Sequence, residues 1–195
     1  MRSTIIVSLL ASIATALPTT PVEAINAARR IAARAPEEAK AVLKSVTSSG
    51  TGCAGNSGSF LIQDDATIGF DALTVDSASG AVASRCLITI DLRLDSKWKY
   101  TINTRSAVRG YVDGVSATFS GLYTVNGQKS EIKADIKPVT SGDGTYLKTF
   151  TQAGVSSALG GGVATVDVNL ALVRETNKVG FVAVDTIDIG FSYSK

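Results

Sequence analysis

The chain of 195 residues contains no histidine. Without an imidazole there is no Ser-His-Asp triad, no Cys-His nucleophile pair and no histidine-ligated metal centre. Cysteine is almost as scarce, with only Cys53 and Cys86. In a secreted chain two cysteines most simply form one bridge, a reactive thiol pair and intermolecular bridges being the alternatives. A bridge withdraws thiolate nucleophiles and cysteine-ligated zinc from consideration. Glutamate is nearly missing after residue 48, where only Glu131 and Glu175 occur. Both have charged neighbours and read as solvated, so the paired carboxylates that glycosidases use are poorly supplied. These shortages argue against an enzyme, and no cofactor or metal is expected.

Long hydrophobic runs are also missing. The longest lies at the start, where Met1-Arg2 precedes Ile5-Ile6-Val7, Leu9-Leu10 and Ile13, and Ala14-Thr15-Ala16 offers a small-x-small cleavage site. This pattern fits a signal peptide over residues 1–16. A bilayer span needs about 20 apolar residues, more than this run supplies. The mature protein is therefore expected to be secreted, extracellular and free of the membrane. One-sided charge is lacking too. Residues 49–195 hold 13 basic and 14 acidic side chains, and a near-neutral body without a basic stripe argues against nucleic acid as partner.

Residues 17–48 differ in composition from the rest of the chain and are rich in alanine. Thr20-Pro21-Val22-Glu23 has the form of a capping box with proline at the first helical position. Val22, Ile25, Ala28 and Ile31 follow at helical spacing. Pro36 interrupts, and a second short helix is expected from Glu37 to Val46. The segment reads as a helical pre-segment or pro-region, with Arg29-Arg30 as a dibasic processing candidate.

From residue 49 to 195 the period changes to alternation. Cys86, Ile88, Ile90, Leu92 and Leu94 share one strand face, with Thr89, Asp91 and Arg93 on the other. Val115, Ala117, Phe119, Tyr123 and Val125 repeat the pattern around Gly121, where a bulge or close packing is expected. Ile132 and Ile136, then Val166, Val168, Leu170 and Leu172, then Ile187, Ile189, Phe191 and Tyr193 do the same. Asp113-Gly114, Asn126-Gly127 and Ser141-Gly142-Asp143-Gly144 supply turn chemistry between runs. Strands with one apolar face must bury it, so an all-β, antiparallel β-sandwich with one disulfide is predicted.

Three groups of residues merit weighing. Trp98 and Tyr100 alternate with Lys97 and Lys99 and form a candidate sugar-stacking pair, although a lone tryptophan among aliphatic residues is more often core. Asp64-Asp65, Asp71 and Asp76 fit no defined calcium loop and read as turn-capping residues. Asp185 shares the alternation of Ile187, which would require a basic partner such as Arg109 or Arg85.

The stretch Gly50-Thr51-Gly52-Cys53, then Gly58-Ser59, Asp64-Asp65, Thr67-Ile68-Gly69-Phe70-Asp71 and Arg85-Cys86-Leu87-Ile88 resembles a family of small secreted proteins. That family is known from filamentous fungi and some bacteria and is catalogued as domain of unknown function 4360. Arg109-Gly110-Tyr111-Val112 and Val184-Asp185-Thr186-Ile187-Asp188 are similar to it as well. The resemblance covers roughly residues 49–195 and implies secretion and a β-rich fold; it brings no catalytic residue. Family members commonly carry a second cysteine pair near the C-terminus, which this chain lacks. The reading preferred on sequence is a secreted, monomeric, non-enzymatic protein that binds cell-wall or other extracellular polysaccharide, or a host surface protein. A carboxylate-dependent hydrolase of extracellular carbohydrate and an effector acting on another protein are the alternatives.

Overall fold

The computed structural model describes residues 35–53, 59–62, 66–139, 142–175 and 177–195. The expected signal peptide, the first expected helix, Arg29-Arg30 and Asp64-Asp65 lie outside the described residues. Among the described residues, twelve strands follow a short 3-10 turn, Glu37–Ala39. They are β1 (Val42–Ser49), β2 (Ser59–Ile62), β3 (Ala66–Gly69), β4 (Thr74–Asp76), β5 (Ala83–Arg93), β6 (Lys99–Asp113), β7 (Ala117–Val125), β8 (Gln128–Ile136), β9 (Thr145–Thr151), β10 (Val155–Ser156), β11 (Gly161–Leu172) and β12 (Phe181–Ser194).

The strands form two antiparallel sheets. One has the order β1-β5-β11-β7-β8. The other has the order β10-β6-β12-β3-β2, with β9 also on β6 and β4 also on β12. The predicted sandwich is present, and most of the predicted alternating residues lie in its core, joined by Leu73, Val75, Val108 and Val155. Ile88, Leu92, Phe119, Val168 and Ile187 are all fully covered. Asn126-Gly127 closes the β7–β8 hairpin with both residues at positive φ, as its composition requires. At Gly121 the reason for glycine is close packing: a Cβ would meet the Ile132 side chain at 3.1 Å.

Residues 37–46 correct the sequence reading. The expected second helix is a single 3-10 turn followed by β1, which pairs along β5 from Val42 opposite Arg93 to Ser49 opposite Leu87. Lys40 in a left-handed conformation ends the turn, and Ala39 is fully buried with its carbonyl accepting from Asp95 N–H at 2.7 Å. Local propensity favoured a helix here; the open edge of β5 supplies seven residue pairings instead, and tertiary pairing overrides propensity.

The bridge joins Cys53 to Cys86, 33 residues apart, with both cysteines buried. The glycine-rich motif before Cys53 owes its composition to this junction. Gly50 has φ 135°, and a Cβ there would lie 2.2 Å from the Arg85 carbonyl oxygen. Thr51 Oγ1 accepts from Arg85 N–H at 3.0 Å, and Gly52 N–H donates to Arg85 O at 2.9 Å.

A candidate platform on the outer sheet face

Paired residues in antiparallel strands project to the same side, so register gives the composition of each outer face. Across the seven-stranded sheet the outward rows run Asp113–Phe181–Asp76, then Thr145–Tyr111–Ala183–Thr74, then Leu147–Arg109–Thr186. The next rows are Thr149–Ala107–Asp188–Thr67 and Thr151–Arg105. Val108, Val112, Val182 and Ile187 point inward from the same strands and are buried. The core thus holds one side rigid while the other stays open.

Two aromatic rings anchor this face. Tyr111 and Phe181 stack with centroids 5.3 Å apart and an interplanar angle of 23°, a near-parallel arrangement favoured by offset rings. Phe181 remains 39% exposed, and Leu147 in the neighbouring row is 55% exposed. Beneath them Gly110 is obligatory. A Cβ on it would lie 2.0 Å from the Ala183 carbonyl and 2.6 Å from the Tyr146 hydroxyl, the hydroxyl that donates to that same carbonyl at 2.8 Å.

Beside the rings lies a fixed polar group. Arg109 donates from Nη1 to Asp188 Oδ2 at 2.5 Å, and Thr67 Oγ1 donates to Asp188 Oδ1 at 2.7 Å. Both carboxylate oxygens are engaged, and the Asp188 side chain is only 16% exposed, whereas Arg109 is 51% exposed. Asp188 therefore orients the guanidinium, which has further N–H donors besides the one engaged. Thr186 Oγ1, in the same row as Arg109, is covered and has no hydrogen-bond partner among the described residues.

The residues singled out on sequence are placed differently. Tyr100 is fully buried and donates from its hydroxyl to Gly162 O at 3.0 Å, so its ring cannot stack on a sugar; burial also drives its pKa upward. Trp98 precedes β6 in a turn, half-buried, with Lys195 Nζ 5.2 Å from the ring centroid. The pair is thereby split between core and rim. Asp185 does not follow Ile187 inward. A bulge between Val184 and Thr186 leaves it unpaired in the ladder and exposed, which reverses the phase of alternation. The basic residues expected to match it serve other acids: Arg109 serves Asp188, and Arg85 grips Asp167 with two bonds of 2.7 and 2.6 Å. Glu131 pairs with Lys133 at 3.0 Å, and Glu175 pairs with Lys178. No cluster of three or more potential metal-ligating side chains occurs among the described residues.

At one end of the sandwich an open cleft of about 350 Å³ is lined by Ser77, Val82, Val115, Leu172, Arg174 and Glu175, among others. The Lys178 ammonium and Ser116 hold the Glu175 carboxyl below its ordinary range. The ion pair stands at the cleft rim, so this concavity offers no free carboxylate.

The fold and this face define a β-sandwich that presents an open sheet surface carrying one stacked aromatic pair. The chain belongs to the family described as Domain of unknown function (DUF4360), whose profile matches residues 39–194. The match takes in β1, ten residues earlier than the sequence motifs indicated. No curated protein matches the chain. Among solved structures it is similar to TmCBM61 in complex with β-1,4-galactotriose, at 10% identity over 77% of this chain and 90% of that one, TM-score 0.37. It is also similar to CBM28, described as a non-crystalline cellulose specific carbohydrate-binding module, at 11% identity over 74% and 86%, TM-score 0.35. A likeness of the same order links it to the infectious bursal disease virus VP2 subviral particle, at 10% identity over 74% and 32%, TM-score 0.29. At these scores none of the three carries an inference.

Proposed function

We propose that this protein is secreted and binds extracellular polysaccharide without altering it, through the outer face of the seven-stranded sheet. The observation that carries this reading is the stacked Tyr111–Phe181 pair standing beside the oriented Arg109–Asp188 group. Sugars present apolar C–H faces and hydroxyl edges. A flat aromatic surface takes the first, and a few fixed polar groups take the second. The engagement of Glu131 and Glu175 in surface ion pairs supports binding over hydrolysis. The buried disulfide accords with an oxidising compartment, and no helix among the described residues is long and apolar enough to cross a membrane.

The test is depletion of the purified chain on insoluble chitin, β-glucan and cellulose, with released reducing sugar read in parallel. Phe181→Ala and Tyr111→Ala should each weaken binding about tenfold, the loss of one well-packed aromatic contact, while Trp98→Ala leaves it unchanged. Equal retention of the parent chain and Phe181→Ala would sink the reading. Sugar release surviving repurification would favour the hydrolase alternative, and no retention on any polymer the effector alternative.

A further inference from the structure

The edge of a sheet leaves backbone donors and acceptors unpaired, and proteins commonly blunt it with a bulge or an inward-facing charge. β1 is bulged between Leu43 and Ser45. β9 sets Lys148 between Tyr146 and Phe150, on the side that packs against the core. β8, which ends the five-stranded sheet, carries neither device. It pairs with β7 over nine residues without a register shift, and its inward side holds Ser130, Ile132, Ala134 and Ile136.

The β7–β8 turn fixes which backbone groups of β8 are unpaired. Val125 and Gln128 flank the two-residue turn Asn126-Gly127, and the pair that closes such a hairpin exchanges both backbone bonds. By alternation Ser130, Ile132, Ala134 and Ile136 also bond to β7. The N–H and C=O groups of Lys129, Glu131, Lys133 and Asp135 therefore point away from the sheet, and no described backbone group meets them. Their side chains are exposed on the outer face. The β7 residues beside them, Thr124, Leu122, Ser120 and Thr118, are uncharged. Glu131 and Lys133 pair with each other, whereas Lys129 and Asp135 make no ion pair with any described residue.

The order base, acid, base, acid complements itself when the strand is reversed. We propose that β8 is the interface of a symmetric dimer, pairing antiparallel with β8 of a second copy about a two-fold axis at Ile132. In this register Lys129 stands opposite Asp135 of the partner subunit, and Glu131 opposite Lys133 of the partner subunit. Each contact occurs twice, as in any isologous interface. The same four residues hold the unpaired backbone groups, so side-chain and backbone pairing coincide. Sliding the second strand by two residues sets Lys129 against Lys133 in one direction and Glu131 against Asp135 in the other. A slip of one residue opposes outward to inward side chains. Charge thus selects one register. Continuing the sheet through this edge leaves both seven-stranded sheets on the same side, so both Tyr111–Phe181 faces turn the same way.

Sedimentation equilibrium of the purified chain from about 5 to about 500 μM tests the dimer, because association follows mass action. Expected is a rise from the mass of one chain to that of two across the range. Glu131→Lys and Lys133→Glu should each weaken association about tenfold, since like charges then stand opposite twice per dimer. Mixed in equal amounts, the two variants should associate with each other at least as tightly as the parent does with itself, because acid again meets base across the edge. Circular dichroism should show the native fold in both, as the two side chains are exposed. A parent that keeps the mass of one chain at every concentration overturns the dimer. Single variants that associate as the parent does, or a mixture no tighter than its components, overturn β8 as the interface.

Discussion

Tyr123 is fully buried and its hydroxyl lies 3.3 Å from Ser106 Oγ, which in turn donates to Asn103 Oδ1 at 2.6 Å. Asn103 continues the network by donating from Nδ2 to Ser130 Oγ at 3.2 Å. Burial pushes the phenol of Tyr123 above its ordinary value of 10.0, because a phenolate would lose its hydration. A raised folded-state pKa means that the native state holds the proton more tightly than the unfolded state. Its contribution to stability is complete below about pH 10 and is lost as pH rises beyond it. Tyr123→Phe should cost about 1 kcal/mol at pH 7, the net value of one hydrogen bond. It should also flatten the decline of stability between about pH 10 and 11.5. Urea midpoints across that range provide the measurement, and an unaltered alkaline slope would remove Tyr123 as a source of the decline. The residue scale is also where the platform was hardest to see. Tyr111 occurs within a family-like stretch and Phe181 within no motif; only their contact makes them a pair.

Among the elements, β1 decides where the domain begins. Its pairing with β5 places residues 42–49 inside the sandwich, and Leu43 and Val46 pack against the core while Ala39 is buried. A chain starting at residue 50 should lose about 2–4 kcal/mol, counted from the apolar area that these three side chains bury. That corresponds to a thermal midpoint lower by roughly 5–15 °C than that of a chain starting at residue 35. Equal midpoints for the two would show that β1 adds nothing to the fold. If residues 17–48 are processed, as the sequence suggested, cleavage that spares the sandwich must precede the 3-10 turn at Glu37–Ala39. The bulge at Asp185 is likewise a property of an element. Period-two alternation holds on either side of it, for Val182 and Val184 before and for Ile187 and Ile189 after, all buried, and the sequence reading had the second pair. The extra residue alone shifted the phase.

For the whole molecule, the bridge and the absence of histidine set the response to conditions. Cys53–Cys86 closes 33 residues, and the chain-entropy account assigns such a loop roughly 3–4 kcal/mol. Replacing both cysteines with alanine should lower the unfolding free energy by that amount while leaving the far-ultraviolet spectrum of the native state intact; a loss below about 1 kcal/mol in denaturant titrations would contradict the entropic account. With no histidine to titrate, thermal stability should stay level from about pH 5.5 to 9.

The sequence by itself determined the class of fold, the core and the staple. Alternation is a local property, so Cys86 to Leu92 declare their faces whatever they pair with, and Asn126-Gly127 specifies its turn from two residues. It also determined much of what the site cannot be, since missing side chains are missing in any fold. Tertiary structure decided which outward faces became neighbours. Tyr111 and Phe181 are brought together by the pairing of β6 with β12, and Arg109 reaches Asp188 across a separation of 79 residues. Arg109 and Tyr111 stood out on sequence only within a family-like stretch, and nothing there showed that β12 would lay Phe181 and Asp188 beside them. Tyr100, weighed on sequence as half of a sugar-stacking pair against a place in the core, was taken inward because its strand turned that side to the opposing sheet. Period two states that two faces differ; only packing against a second sheet selects which one stays in water.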